Sequence, residues 1–321
     1  MMKDLKGIHH VTAMTSSAEK NYAFFTEVLG MRLVKKTVNQ DDIHTYHLFF
    51  ADDKGSAGTD MTFFDFPNLP KGRHGTDSIS RVSFRVPTDG ALEYWQDRFN
   101  QLEVPHGEIQ TLFGQKYLTF QDFDDQQLQL VSDEKDSGVA PGTPWKNGPV
   151  PEKYAIYGLG PVFLTVVSLT NMDAILQSIL GFRKVTEENG LHLYEVGEGG
   201  NGAQVVVEER TDIPAAMQGY GGVHHVAFRV EDHDELQKWI ERMNTIEAPN
   251  SGYVNRFYFE SLYVPVSERI LFEFATDGPG FASDEPYETL GEKLALPPFL
   301  EPKRAEIEKM VRPINTKRTE K

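Results

Sequence analysis

The sequence predicts an α+β fold built from four βαβββ modules that pair into two cup-like barrels. Three observations carry this expectation. VHHVAFRV at 223–230 repeats ISRVSFRV at 79–86 with a shift of 144 positions, and the same shift lays Leu236 on Leu92, Trp239 on Trp95 and Pro249 on Pro105. It goes on to lay SLYVPVSERILFEFATD at 261–277 on YLTFQDFDDQQLQLVSD at 117–133. A second shift, of 151, places GLGPVFLTVVS at 158–168 over GIHHVTAMTSS at 7–17, and LGFRKV at 180–185 over LGMRLV at 29–34. One register held across separate segments marks duplicated structural units.

The modules follow in order as 1–78, 79–133, 158–210 and 211–277. Each opens with a short alternating strand and continues with an amphipathic helix, such as DELQKWIERMN at 234–244. Two or three strands then close each unit on an apolar run. Segment 134–157 contains VAPGTPWKNGPVPEK, whose prolines and glycines suit a linker between the halves. The uncharged stretch from Tyr154 to Met172 carries Pro161 and Asn171, so it reads as a buried strand with flanking turns rather than a span. Residues 278–321 lie outside the repeats. There AEIEKMV has helical spacing while LPPFLEP cannot be regular helix, and this extension is expected to cover the site as an apolar lid.

Composition narrows the partners. The 321 residues hold 32 Lys and Arg against 48 Asp and Glu, a net charge of −16 that repels polyphosphate and anionic lipid. Neither nucleic acid nor a membrane surface is an expected partner, and the oligomeric state is left open, with a homo-oligomer compatible. The absence of cysteine excludes disulfides, thiolate metal sites, a catalytic thiol and iron-sulfur clusters, so any metal must sit on nitrogen and oxygen. The opening MMKDLKGIHH has no apolar run behind its basic residues, which makes a secretory signal unlike it and a cytoplasmic location the expectation.

Chemistry is sought where the copies differ, because duplicated strands with one packing role should keep one residue type. His225 stands against Arg81, Glu273 against Gln129 and His10 against Pro161. Modules one and four thus carry donors that two and three lack. No single module supplies three, so a site of His10, His225 and Glu273 requires one and four to face each other in a metal domain and leaves two and three as a metal-free domain. Two imidazoles and a carboxylate with open positions form the facial triad of non-haem Fe(II) oxygenases. Strand parity puts His225 with Ala227 on one face, and His224 with Val226, Phe228 and Val230 on the other. By the same count His9 turns away from His10. Asp65 is a candidate fourth ligand that would close the shell; the gap between units leaves its register against Glu273 open, and it is taken as a non-ligand. His44, His47, His74, His106, His192 and His233 are assigned to surface or packing, and Phe63, Phe64 and Phe66 to the core.

With these residues in place, the chain resembles the vicinal oxygen chelate superfamily of paired βαβββ modules. More narrowly it is similar to the ring-cleaving dioxygenases that open hydroquinones. The resemblance rests on GIHHVTAMT at 7–15, GGVHHVAFRV at 221–230, RILFEFATDGPGF at 269–281 and GEKLALPPFLEPKRAEIE at 291–308, and covers nearly the whole chain. It implies Fe(II), with Mn(II) satisfying the same donors, held by His10, His225 and Glu273. It implies catalytic roles for Tyr263, Arg256, His224 and His9, and substrate contacts for Thr12, Arg256 and Tyr263. The partners it implies are a small aromatic substrate and O2. Tyr263 could equally be a packed core tyrosine and Arg256 a solvated loop charge. Two other readings stand beside this one: a glyoxalase-type metal-dependent lyase or isomerase, and a metal-free small-molecule-binding protein.

Overall fold

A computed structural model describes residues 3–318. The first module supplies β1 (Ile8–Met14), β2 (Arg32–Val38), β3 (Tyr46–Ala51) and β4 (Asp60–Phe64), and the second β5 (Ser78–Val86), β6 (Gln110–Leu112), β7 (Gln115–Gln121) and β8 (Gln127–Ser132). The third supplies β9 (Leu159–Val166), β10 (Arg183–Glu188), β11 (Leu191–Glu195) and β12 (Gln204–Glu209). The fourth supplies β13 (Val223–Val230), β14 (Val254–Asn255), β15 (Glu260–Pro265) and β16 (Leu271–Thr276). They assemble into two curled eight-stranded sheets, ordered β14-β15-β16-β13-β1-β4-β3-β2 and β10-β11-β12-β9-β5-β8-β7-β6. In the first, the two opening strands β1 and β13 pair antiparallel at the seam, each flanked on its other side by a parallel partner, β4 or β16.

Each module carries one helix: α1 (Ala18–Ala23), α2 (Asp89–Gln101), α3 (Leu169–Ala174) and α4 (His233–Thr245). All four start at a residue whose side chain accepts from the first-turn backbone, namely Ser17, Thr88, Ser168 and Asp232. The apolar stripes face inward: α2 buries Leu92, Trp95 and Phe99, and α4 buries Leu236, Trp239 and Met243. Trp239 stacks on Phe274 at 4.9 Å. Burying about 200 Å² of such a ring is worth about 5 kcal/mol.

α1 and α3 each run on into a π-helical turn whose last carbonyls need outside donors. Arg98 of α2 supplies them to Val28 O (2.9 Å) and Glu27 O (2.7 Å). Arg242 of α4, its counterpart under the 144-residue shift, donates to Ile179 O and Ser178 O, both at 2.9 Å. Helices are therefore clamped module to neighbouring module, one with two and three with four. The sheets join the other way, one with four and two with three.

Segment 134–157 is packed, with Trp145, Val150, Ala155 and Ile156 buried and Tyr154 O accepting from Trp95 Nε1 at 2.7 Å. The residues after 277 include α5 (Arg304–Met310) and fasten onto β2. Lys35 Nζ pairs with Asp284 at 2.7 Å and with Glu285, Lys36 Nζ donates to Thr316 Oγ1 at 2.8 Å, and Ala295 N donates to Lys36 O at 2.9 Å. All of β2 is buried as a result, whereas its counterpart β10 has no such cover and is exposed along most of its length.

Candidate metal and substrate site

The central strands of the first sheet bring His10, His225 and Glu273 together. Ala227 is the Cα partner of both His10 and Glu273, so a methyl group lies between them and leaves room for the three side chains to converge. His10 Nε2 lies 3.2 Å from His225 Nε2 and 3.1 Å from Glu273 Oε2, and His225 Nε2 lies 2.9 Å from that same oxygen. All three residues are buried, and theirs is the one such donor group among the described residues.

Hydrogen bonding behind the rings fixes which atoms carry protons. Thr276 O, a carbonyl, faces His9 Nε2 at 3.0 Å, so this nitrogen must donate. Burial drives the His9 pKa down to about 3, leaving the ring neutral with Nδ1 as an acceptor. His10 Nδ1, 2.9 Å away, then donates to it, which leaves a bare lone pair on His10 Nε2. That lone pair faces Glu273 Oε2, a fully buried oxygen that accepts no well-formed hydrogen bond despite its two close imidazoles. Burial works to raise the Glu273 pKa and a proton on either facing imidazole to lower it; the net direction is well below the ordinary value, so the group is an anion. Once no proton bridges them, these converging lone pairs suit a cation. Three cis ligands on bonds of about 2.1 Å sit about 3 Å apart, which matches the observed spacings. The donor set fits Fe(II) or Mn(II). The other carboxylate oxygen, Oε1, accepts from Ser261 Oγ at 2.5 Å, which pins the group in place.

Parity fails for the neighbouring histidines because both strands bulge. Pairing advances two residues on β1 against one on β13 between Ile8 and His10, and one against two between Thr12 and Ala13. His9 and His224 are the extra residues at these bulges, which re-aim a side chain. Each lies beside a member of the His–His–Glu cluster instead of opposite it. His224 Nδ1 is 2.8 Å from His225 Nδ1, and its ring edge lines a cavity of about 330 Å³ in front of the triad. With His225 Nε2 turned to Glu273, His225 Nδ1 donates, and the His224 proton sits on Nε2. That volume falls in the small-molecule range of about 300–1,000 Å³.

A family profile described as the Glyoxalase/Bleomycin resistance protein/Dioxygenase superfamily matches residues 7–130. "Putative ring-cleaving dioxygenase MhqA" of Bacillus subtilis is 44% identical over 315 residues, covering 97% of this chain and 99% of that protein. The chain belongs to this superfamily. "Chlorohydroquinone/hydroquinone 1,2-dioxygenase" of Sphingobium indicum is 31% identical over 308 residues, with 92% and 93% covered. A crystal structure of a dioxygenase from B. subtilis, described as putative, superposes with a TM-score of 0.90 at 34% identity over 99% of this chain and 100% of that one.

Superfamily membership accounts for the paired modules; this chain's own residues decide what the cavity holds. Tyr263, the Cα partner of Glu273, lines it, and its hydroxyl accepts from Arg256 Nε at 3.0 Å. Arg256 lines it too. Thr12 does not: it is fully buried, its hydroxyl sharing a hydrogen bond with Thr62 Oγ1 at 2.7 Å. His9 is likewise behind the ligands and outside the lining. Asp65 lies past the end of β4, where its Oδ1 accepts from Tyr46 N at 2.7 Å, and it is not among the converging donors.

Three assignments are corrected. His47, assigned to surface or packing, lines the cavity between Phe49 and Phe64, with ring centroids 3.9 and 4.4 Å away, and its Nε2 meets Thr62 Oγ1 at 2.9 Å. Phe63 is core, but Phe64 and Phe66 form cavity wall, because alternation along β4 and the chain beyond it turns them to the concave side. The C-terminal extension is no lid: none of its described residues lines the cavity. Phe281 and Leu290 pack instead with Val34, Phe49, Ala51 and Tyr258, and Leu296, Leu300 and Ile307 join the main core. The rim is formed by Asn39–Asp42 and Arg256. Sequence alternation along β3 could have found His47, had the face of that strand been known. In the second sheet Arg81 and Gln129 stand 3.4 Å apart where the first has His225 and Glu273.

Proposed function

We propose that this chain is a ring-cleaving dioxygenase that opens hydroquinone- or catechol-type aromatics with O2, using Fe(II), or Mn(II), held by His10 Nε2, His225 Nε2 and Glu273 Oε2. The carrying observation is the convergence of these three atoms within 3.2 Å of one another at the base of an aromatic-lined cavity. Bound there, the ion supplies the redox chemistry that joins dioxygen to the ring. His9 and Thr276 hold the His10 tautomer, and Ser261 holds the carboxylate. Phe49, Phe64, Phe66 and Phe259 give flat apolar walls that seat an aromatic ring and exclude water. His224 lines the cavity with its proton on Nε2, where it donates a hydrogen bond to a substrate oxygen. Tyr263, held by Arg256, orients the ring and steadies negative charge beside the triad.

The resemblance of the site to an open three-donor set, with Asp65 engaged elsewhere, favours this reading over the lyase. The test is anaerobic reconstitution with Fe(II) or Mn(II), followed by oxygen uptake with hydroquinone, catechol and a methylglyoxal-thiol adduct. Uptake with a dihydroxybenzene is expected, and Glu273→Gln should abolish it and lower metal content while the fold persists. Turnover of the thiol adduct without oxygen, or full activity in Glu273→Gln, would overturn the assignment.

A further inference from the structure

We propose that the Asp41–Arg256 pair makes this cavity select uncharged dihydroxybenzenes against ring carboxylates, with Asp41 as the positioning residue that keeps Arg256 from binding an anion. The inference rests on the ring-cleavage reading and narrows its substrate class. Arg256 is the only lysine or arginine among the residues lining the cavity. Two of its donor nitrogens are engaged and its charge is paired: Nε goes to the Tyr263 hydroxyl at 3.0 Å, Nη2 pairs with Asp41 Oδ2 at 2.9 Å, and the plane lies over the Tyr263 ring at 5.1 Å. The guanidinium is 20% exposed while Asp41 is 71% exposed, so the carboxylate caps the cation from the solvent side. The neighbouring Gln40 Nε2 donates to Arg256 O at 2.8 Å, so one rim loop grips both ends of the residue.

The charges around the cavity are then balanced. Asp41, Asp42 and Glu273 carry three negative charges and Arg256 one positive, and a divalent ion on the triad makes the set neutral. Asp42 is fixed in its place, its carboxylate accepting from His44 N at 3.2 Å and Thr45 Oγ1 at 3.1 Å. A hydroquinone enters without disturbing this balance. A ring bearing a carboxylate brings one more anion into a site whose single guanidinium is already paired, and an unpaired anion out of water is strongly disfavoured. Removing the Asp41 charge releases guanidinium N–H groups toward the cavity, in a fork that suits a carboxylate.

The test compares hydroquinone with 2,5-dihydroxybenzoate on metal-loaded protein. Dissociation constants are measured calorimetrically without oxygen, and kcat/KM by oxygen uptake. In Asp41→Asn, affinity for the benzoate relative to hydroquinone should rise about 10- to 100-fold, the range of one charge-assisted hydrogen bond. Asp41→Glu should restore the discrimination, and the double variant Asp41→Asn, Arg256→Gln should lose the gain. A ratio within twofold of the parent in Asp41→Asn, or a gain that survives loss of Arg256, would overturn the proposal. Failure of the parent to consume any dihydroxybenzene would instead overturn the ring-cleavage reading, since the binding ratio is measured without turnover.

Discussion

Ser261→Ala removes a single buried hydroxyl that donates to Glu273 Oε1 at 2.5 Å. In the parent this bond holds the carboxylate turned toward the two imidazoles. Without it the carboxylate is free to turn and the imidazoles to take up a proton, and ion binding must reverse both changes. A hydrogen bond to a charged group contributes about 1.5–3 kcal/mol, which corresponds to about 10- to 100-fold weaker metal binding. The apo protein should also lose about 1–3 kcal/mol of stability, because a buried oxygen is left without a donor. Anaerobic competition for Fe(II) or Mn(II) against a chelator of known affinity reads the first effect, and thermal melts with and without metal read the second. Ser261→Thr keeps a hydroxyl and should recover both. A metal dissociation constant within twofold of the parent in a folded Ser261→Ala protein would refute the idea that this bond organises the ligand.

Asp65 offers a pH test, since burial, its largest influence, pushes its pKa up to about 6 from 3.8. A raised carboxyl pKa means the folded state disfavours the anion, so stability falls as pH climbs from about 4 through 6 and stays reduced above. Asp65→Asn keeps an acceptor for Tyr46 N and should stabilise the fold more at pH 8 than at pH 5, by no more than about 3 kcal/mol, read as a larger rise in melting temperature at pH 8. An equal gain at both pH values would contradict this, and loss of metal would revive Asp65 as a ligand. Lys35→Met strips the cation from between Asp284 and Glu285, beneath the Tyr258 ring at 4.8 Å. The two carboxylates left behind should cost about 3–5 kcal/mol and loosen the C-terminal segment, read by melting and limited proteolysis. A melting temperature unchanged within a degree would show that this ion cluster fastens nothing.

The repeats made much of the architecture legible. Shifts of 144 and 151 residues identify which strands correspond, and contrasts such as Glu273 against Gln129 point to strands that differ in chemistry. Counting faces along a strand assumes unbroken pairing, however, and the bulges at His9 and His224 break it. Their cause is a mismatch between two strands more than 200 residues apart, which leaves no local trace. His47, Phe64 and Phe66 were illegible for a related reason: their face becomes a cavity wall only because the sheet curls. The expected lid was misplaced because proline-rich composition says that a segment is not helical, without saying which edge it covers. That edge is chosen by the cations on β2: Lys35 pairs with the tail's Asp284 and Glu285, while Arg32 and Lys36 donate to Tyr287 O and the Thr316 hydroxyl.

The crossed clamping of helices and sheets also has a meaning for synthesis. His10 and His225 are separated by 215 residues, and Glu273 is made later still. A ribosome therefore releases the first imidazole long before either companion exists, and no emerging fragment can present the three donors in the finished geometry. The His10–His225–Glu273 cluster is complete only when the late strands dock beside the earliest one, so any ion it takes enters as a closing event of assembly.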